Sequence, residues 1–347
     1  MKTLINGGVV GASLASVVML MGSVVEAGVP EIVSLKKIWD GAPHNAFTDL
    51  IYHQGEWFCT FREADYHSDR PTNKAPGREK AGRNGEVRVI VSSDGDQWES
   101  AGLVAEQGFD LRDPKLSVMP DGRMMLLTCA CVHDPEQEVR GGYRTRSPRI
   151  AFSRDGRQWS APRRVLAEDH WLWRATWHEG RAWSVSKLGE SPIPRRAFLY
   201  WSDNGIDWNW VNELKLPAGS NIGREPSETT LRFLPDGEMI ALIRQHYIGR
   251  SRPPYRHWTY TRIGHSLGGP NFLRLPDGTM WCASRIDGRT KLARMEVDAF
   301  EPVLELPCDG DSGYPGMAWH DGLLWVSYYS SHEGKTSIYL AKIRLDS

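Results

Sequence analysis

Three arginines of this 347-residue chain stand at the same position of a repeated sequence unit. The unit is a short apolar run, a polar turn with a glycine, and a second apolar run, and it recurs six times. Arg62, Arg244 and Arg285 each lie seven residues beyond the turn glycine of their copy. Equivalent positions of a repeated unit face one side of the assembled fold. Because guanidinium groups match carboxylates with a planar fork of donors, the spacing predicts a site for an anionic ligand.

The repeated unit also indicates the fold. Two apolar runs joined by turns such as Pro-Asp-Gly or His-Asp-Gly are typical of antiparallel hairpins. The six turn glycines are Gly55, Gly122, Gly180, Gly237, Gly278 and Gly322. Several hairpins are followed by an outer strand that ends in Ser-x-Asp/Asn-Gly-x-x-Trp, at residues 92–98, 153–159 and 202–208. Repeats of this length predict an all-β, six-bladed β-propeller with four-stranded antiparallel blades.

The last blade lacks a strand of its own. After the sixth turn glycine only one further strand follows, in the segment TSIYLAKIRL at residues 336–345. The segment EIVSLKKIW at residues 31–39 has the pattern of a strand and precedes the first hairpin. We therefore expect this N-terminal strand to complete the last blade, because closure removes the free edges of the ring.

The first 27 residues differ from the rest of the chain. Lys2 is followed by an apolar stretch over residues 9–25 and then by Val-Glu-Ala before Gly28. This pattern is typical of a secretory signal peptide at residues 1–27, with the propeller domain at residues 28–347. An uncleaved N-terminal anchor is the alternative. Both predict a secreted or periplasmic propeller.

Composition narrows the classes of partner. The net charge is −1, which provides no electrostatic argument for binding nucleic acid or an anionic membrane. Five cysteines in a chain of this size do not form a disulfide framework. The eleven histidines form no His-x-x-x-His pair and the cysteines no Cys-x-x-Cys pair, so we expect neither a metal nor another cofactor.

The hairpin geometry brings more polar residues to the rim of the arginines. The end of a second strand lies beside the start of the first, which places Glu228 beside Arg244 in the fourth copy. The sixth copy begins near Tyr314, and the second near Arg112 and Asp113. The loop that follows the first hairpin carries Asp65, His67 and Asp69.

These residues and turns resemble those of the sialidases, which are six-bladed propellers with Asp-box turns. In that family an arginine triad holds the substrate carboxylate, a tyrosine activated by a glutamate is the nucleophile, and an aspartate on a loop of the first blade is the acid/base. The resemblance implies that Tyr314 is the nucleophile and Glu228 its base. It implies that Arg244 and Arg285 are two triad members, and that Asp65 is the acid/base in competition with His67, Asp69 and Asp113.

The chain also departs from the family pattern. The first strand of the first blade reads His44-Asn45-Ala46-Phe47-Thr48, where the family has an arginine within Tyr/Phe-Arg-Ile-Pro. Arg62 on the neighbouring strand is our candidate to replace it. The Asp boxes are one residue shorter than usual. These departures indicate a divergent branch whose substrate need not be ordinary sialic acid.

Other residues are candidates for substrate binding. They are Asn45, Asp113 and Arg174, with Lys187, Trp171 and Trp173 as secondary candidates. Each assignment has a structural alternative: the arginines pair with acidic residues, Tyr314 is a core aromatic, Glu228 bonds backbone, and the tryptophans pack in the core.

The residue types suit one chemistry. A nonulosonic acid carries its carboxylate on the anomeric carbon, so a carboxylate nucleophile is repelled by about 4 kcal/mol at an effective dielectric near 20. A neutral tyrosine avoids this repulsion, and Glu228 can take its proton. We also expect Arg244 to make the Tyr314 phenol ionise more easily than a free tyrosine.

The predicted function is therefore that of an exo-α-sialidase-like glycoside hydrolase. It would release a terminal sialic (nonulosonic) acid from a glycan or glycoconjugate with retention of configuration. One alternative is a related exo-glycosidase for another acidic or keto-sugar acid. The other is a carbohydrate-binding propeller without catalysis.

Overall fold

A computed structural model describes residues 1, 28–67, 84–133, 143–189, 194–217 and 226–345. The predicted signal peptide lies outside these ranges apart from Met1, and so does Asp69. Within the described ranges, no helix has the length and hydrophobicity that a membrane span requires.

Six antiparallel sheets make up the described chain, which confirms the predicted propeller. The first blade consists of β2 (His44–His53), β3 (Glu56–Ala64), β4 (Glu86–Ser92) and β5 (Glu99–Val104). The second consists of β6 (Asp110–Val118), β7 (Met124–His133), β8 (Tyr143–Ser153) and β9 (Arg163–Arg164). In the third, β10 (Trp171–Leu172) and β11 (Thr176–His178) both pair with β12 (Arg181–Leu188), followed by β13 (Arg196–Ser202) and β14 (Asn209–Glu213).

The remaining blades follow the same order from the axis outward. The fourth consists of β15 (Thr229–Phe233), β16 (Met239–Ile243), β17 (Tyr247–Ser251) and β18 (Thr259–Arg262). The fifth consists of β19 (Leu267–Arg274), β20 (Met280–Ile286), β21 (Arg289–Met295) and β22 (Phe300–Glu305). The sixth consists of β23 (Ser312–His320), β24 (Leu323–Ser330), β25 (Ser337–Arg344) and β1 (Glu31–Trp39).

The N-terminal strand closes the ring as expected. β1 pairs with β25 in antiparallel register, from Glu31 opposite Arg344 to Trp39 opposite Ile338. The edge of the last blade is therefore covered, and the first and last parts of the described chain share one sheet.

The Asp-box turns stabilise the outer parts of the blades. In the first, the Ser92 hydroxyl accepts a hydrogen bond from the Gly95 amide at 2.8 Å, and the Trp98 indole donates to the Gly95 carbonyl at 3.2 Å. Gly95 has φ +74°, and a Cβ there would lie 2.2 Å from the Trp325 ring. The turns at residues 153–159 and 202–208 repeat these bonds. These turns stabilise the packing of the blades and are not part of a site at the axis of the ring.

The innermost strands share a distortion near the axis. β2, β6, β19 and β23 each contain a register shift at an equivalent point. One residue in each bulge has a positive φ; these are Phe47, Asp113, Gly269 and Tyr314, with φ of 65°, 52°, 58° and 51°. A bulge bends its strand and redirects a side chain. The repeated distortion thus gives several blades one equivalent residue near the axis.

Hydrogen bonds between blades hold these bulges in place. The Thr48 hydroxyl donates to the Tyr314 carbonyl at 3.0 Å, and the Asn271 amide donates to the Pro315 carbonyl at 3.3 Å. The Thr230 hydroxyl donates to a carbonyl of the fifth blade at 2.7 Å. Because these bonds tie the first, fourth, fifth and sixth blades together beside the bulges, Tyr314 and Gly269 are held at the axis.

Candidate active site

Tyr314, Glu228 and Arg244 form a closed hydrogen-bonded triangle at the axis. The Tyr314 Oη donates to Glu228 Oε1 at 2.9 Å, as the hairpin geometry predicted for two residues that are 86 positions apart. Arg244 Nη1 donates to Tyr314 Oη at 2.9 Å and to Glu228 Oε1 at 2.5 Å. A phenol, a carboxylate and a cation therefore contact one another in pairs.

The backbone of two blades supports Glu228. Its Oε2 accepts the Gly269 amide at 2.8 Å, and its carbonyl accepts the Arg244 amide at 2.9 Å. A Cβ on Gly269 would lie 2.5 Å from the Tyr314 ring. Glycine at this position therefore allows the phenol to lie beside the carboxylate.

Aromatic rings and a second arginine surround the phenol. The rings of Phe47, Trp173 and Tyr329 lie 5.2, 5.9 and 6.1 Å from the Tyr314 ring. The guanidinium of Arg285 lies 5.4 Å from its centroid and donates to the Ser312 carbonyl. The Tyr314 ring is thus packed among other aromatic rings, and Arg244 and Arg285 both lie beside this side chain.

Burial determines how the phenol titrates. It raises the pKa of Tyr314 above the ordinary value, although Arg244 and Arg285 act to lower it. The expectation that Arg244 makes this phenol ionise more easily is therefore wrong. Burial also acts to raise the pKa of Glu228, but the charges of Arg244 and Lys187 together with the hydrogen bonds from Gly269 and Tyr314 lower the net pKa. The pair consists of a neutral phenol and a carboxylate at neutral pH.

Arg62 has a different environment from the other two arginines. It is buried, with Nε donating to Asp110 Oδ1 at 2.6 Å and Nη1 donating to the Tyr66 carbonyl at 2.8 Å. Asp110 begins the innermost strand of the second blade. Arg62 thus joins the first two blades through a buried ion pair, whereas Arg244 and Arg285 lie beside the phenol.

Arg112 lies beside the first strand of the first blade. Its guanidinium lies 4.9 Å from the centroid of the Phe47 ring. Nη1 donates to Asp110 Oδ2 at 3.0 Å and to the His67 carbonyl at 2.7 Å. Its place at the start of the second copy was visible in the sequence, but Arg62 shares the repeat position of Arg244 and Arg285 and was preferred for that reason.

Asn45 and Arg174 are engaged in the framework. The Asn45 side chain donates to the carbonyls of Ala42 and Thr336 at 2.7 and 2.8 Å and accepts the Ala42 amide. Arg174 Nη1 donates to both carboxylate oxygens of Asp49 at 2.7 Å. Asn45 therefore stabilises the joint between the first and last blades, and Arg174 a buried ion pair between the first and third.

Asp113 and Lys187 lie within the electrostatic reach of the triangle. Asp113 is buried, and burial raises the pKa of its carboxyl although the charge of Lys115 opposes this. Lys187 is the second-to-last residue of β12, with its ammonium 4.3 Å from the centroid of the Trp171 ring, and its charge acts to lower the pKa of Glu228. A buried carboxyl and a further cation thus accompany the phenol.

The first-blade loop contributes His67 to a cluster at the same rim. Asp65 is partly buried directly beyond β3. Two residues on, His67 Nδ1 lies 2.5 Å from Asp311 Oδ2. The same oxygen lies 3.1 Å from His44 Nε2, and Asp311 Oδ1 accepts the Tyr329 hydroxyl at 3.0 Å. The sequence analysis selected neither His44 nor Asp311, because they belong to opposite ends of the propeller chain.

The same cluster has a donor set that a metal ion could use. The ligand atoms of His44, His67 and Asp311 lie within 4.8 Å of one another, and two imidazoles with a carboxylate suit a transition metal. However, Arg285 Nη1 lies 3.8 Å from Asp311 Oδ1, and the charge of Arg112 lowers the pKa of His67. These positive charges oppose the binding of a divalent cation, so the three side chains are better described as a hydrogen-bonded cluster than as a metal site.

No family model and no curated protein sequence matches this chain. Among solved structures it is similar to a protein of unknown function from Dyadobacter fermentans, with a TM-score of 0.73 and 20% identity over 91% of this chain and 99% of that one. It is similar to Trypanosoma rangeli sialidase, with a TM-score of 0.65 and 12% identity over 87% of this chain and 55% of that one. It is also similar to an α-L-arabinofuranosidase of Fusarium graminearum, with a TM-score of 0.68 and 14% identity over 90% of this chain and 98% of that one.

These comparisons show a propeller fold of the sialidase-like kind, which glycoside hydrolases share. The chain spans about half the length of the sialidase. At these identities the likeness shows the fold alone.

Proposed function

We propose that this protein is an exo-acting glycoside hydrolase that releases a terminal sialic-acid-like sugar acid with retention of configuration. The observation that carries the proposal is the triangle of Tyr314, Glu228 and Arg244, with oxygens 2.9 Å apart in the phenol–carboxylate pair. A nucleophile within hydrogen-bond distance of its base, which a third group orients, is the arrangement that covalent catalysis requires.

The charges support an acidic sugar as the substrate. Arg244 and Arg285 lie beside the phenol with side chains 19% and 24% exposed, and Lys187 adds positive charge. A carboxylate bonded to the anomeric carbon would meet these cations when that carbon meets Tyr314 Oη. A neutral nucleophile suits this substrate, since the raised pKa of Tyr314 keeps its proton in place until the bond forms.

In the first step Tyr314 Oη bonds to the anomeric carbon and its proton passes to Glu228 Oε1. The bond to the leaving oxygen breaks, and that oxygen takes a proton from a general acid. In the second step water attacks the anomeric carbon and gives a proton to the conjugate base of the general acid, and Tyr314 leaves with the proton returned by Glu228. Retention follows from two displacements at the same carbon.

A different keto-sugar acid is the second candidate substrate. Phe47 stands in the first-blade stretch where sialidases carry an arginine, and Arg62 is held by Asp110. With fewer arginines available beside the phenol, the site favours an acid whose carboxylate needs only two guanidiniums. We further propose that residues 1–27 export the propeller from the cytoplasm.

A release assay over a panel of aryl α-ketosides tests the function. The panel contains 4-methylumbelliferyl ketosides of N-acetylneuraminic acid, of its deaminated analogue and of an eight-carbon keto-sugar acid. Turnover of at least one by the wild type, lost in Tyr314→Phe, supports the proposal. If the wild type binds the sugar acids without turning over any ketoside, the protein is a carbohydrate-binding propeller instead.

A further inference from the structure

Asp311 lies three residues before Tyr314, and its carboxylate accepts hydrogen bonds from two histidines and a tyrosine. His67 Nδ1 lies at 2.5 Å, His44 Nε2 at 3.1 Å and Tyr329 Oη at 3.0 Å from its oxygens. Burial alone would raise the pKa of Asp311, but the bonds from both histidines bring it well below the ordinary value. Asp311 is therefore an anion that accepts from all three partners.

An ionised acceptor fixes the tautomer of His67. Nδ1 must carry the proton that it donates to Asp311, so Nε2 is the nitrogen that can exchange a proton with a substrate. A histidine held by a buried carboxylate through the opposite ring nitrogen is the arrangement of many general acid/base groups. His44 uses its own Nε2 on the same carboxylate oxygen and lies in a more buried position.

His67 packs against the same Phe47 ring as the phenol of Tyr314. Its ring is 5.4 Å from the Phe47 ring, which in turn is 5.2 Å from the Tyr314 ring. The side chain of His67 is 33% exposed, whereas Asp113 is a buried carboxyl near the axis. An exo-acting enzyme releases the rest of the glycan toward solvent, so the proton donor must stand on the accessible side.

The groups around His67 set the pH at which it acts. Burial lowers the pKa of its imidazole, the charges of Arg112 and Arg62 lower it further, and Asp311 opposes them. His44 is also packed against the ring, at 5.4 Å between centroids. The imidazolium form is therefore more abundant at mildly acidic pH than at neutral pH.

We propose that His67, oriented by Asp311, is the general acid/base of this site. The proposal rests on the proposed glycosidase function. In the first step Nε2 gives its proton to the leaving oxygen, which keeps the electron pair of the broken bond. In the second step Nε2 takes a proton from the attacking water and returns to its starting form.

The test compares leaving groups that differ in their need for a proton. The probes are the methyl and the 4-methylumbelliferyl α-ketosides of N-acetylneuraminic acid or, if only another acid is cleaved, of that acid. His67→Ala should lower kcat/KM for the methyl ketoside by about 10²- to 10⁴-fold and change the aryl ketoside by less than about tenfold. The matched control is His265→Ala, which removes an exposed histidine with Nδ1 2.6 Å from Asp287 and should affect neither.

Asp311→Asn tests the positioning role separately. Loss of the carboxylate should move the alkaline-side fall of the kcat/KM profile to lower pH, because Asp311 acts to raise the pKa of His67, and it should weaken turnover of the methyl ketoside more than that of the aryl ketoside. An unchanged pH profile would contradict the role of Asp311.

The outcomes separate the two proposals. Equal losses on both ketosides in His67→Ala, with the wild type active, overturn the acid/base role and leave the proposed function intact. A selective loss in Asp113→Asn instead of His67→Ala assigns the role to Asp113. If the wild type turns over neither ketoside, the proposed function fails, and the acid/base role fails with it.

Discussion

Replacing Arg244 with lysine should slow turnover far more than it lowers stability. Arg244 Nη1 donates to both Glu228 and Tyr314, and the guanidinium has a second terminal nitrogen for a substrate carboxylate. An ammonium keeps the charge but has no planar fork, and its stem is shorter. It cannot hold the phenol and the glutamate in place and also present a second donor to the substrate.

The expected size follows from the bonds that are lost. A hydrogen bond to a charged group contributes about 1.5 to 3 kcal/mol, and about 1.4 kcal/mol corresponds to a factor of ten. The loss of one such bond in the transition state predicts a decrease of about 10- to 100-fold in kcat/KM. Lysine is more informative than alanine here, because removal of the charge would leave Glu228 buried and unpaired at a cost of about 3 to 5 kcal/mol in folding.

The assay measures kcat/KM on the aryl ketoside that the wild type cleaves, with the thermal midpoint of unfolding measured in parallel. The control is Arg196→Lys, which alters an exposed guanidinium that pairs with Glu213 at 2.8 and 2.7 Å. That variant should keep full activity. Activity of Arg244→Lys within about threefold of the wild type would refute the carboxylate-binding role of this side chain.

Three other perturbations should give distinct results. Tyr314→Phe should fold normally and lose most turnover, because the Arg244–Glu228 pair remains when the phenol oxygen is removed; an active Phe variant would contradict the nucleophile assignment. Deletion of Glu31–Trp39 should lower the thermal midpoint much more than deletion of residues 346–347, because it exposes the edge of β25; equal changes would contradict the closure argument. Burial lowers the pKa of His44 from 6.5 to about 4. Between these pH values the unfolded chain binds a proton at His44 that the folded chain does not bind. The free energy of unfolding therefore decreases as the pH falls from 6.5 to about 4, by up to about 1.4 kcal/mol per pH unit. Urea unfolding over this range should show a steeper loss for the wild type than for His44→Gln, and identical slopes would rule the effect out.

The spacing of the hairpins was enough to predict the ring and the meeting of Tyr314 with Glu228. Both residues stand near the start of an innermost strand, and such strands converge at the axis. The closing strand could be predicted because the last blade otherwise has an open edge. These features depend on periodicity and topology, which a sequence contains.

Partners and titration could not be predicted in the same way. Arg62 and Arg244 have the same position in the repeat. However, Arg62 pairs with Asp110 of the next blade, whereas Arg244 pairs with Glu228 of its own blade. The raised pKa of Tyr314 depends on how deeply it is buried, which no local pattern records. The bond between His44 and Asp311 joins residues 267 positions apart across the closed ring.

Trapping the glycosyl intermediate tests directly whether Tyr314 is the nucleophile. The wild type is incubated with a 2,3-difluorinated form of the sugar acid that it releases, which slows the second displacement, and the digested protein is analysed by mass spectrometry. We expect a glycosyl adduct on the peptide that contains Tyr314, absent from Tyr314→Phe. An adduct on Glu228 or on another residue would contradict the assignment of Tyr314 as the nucleophile.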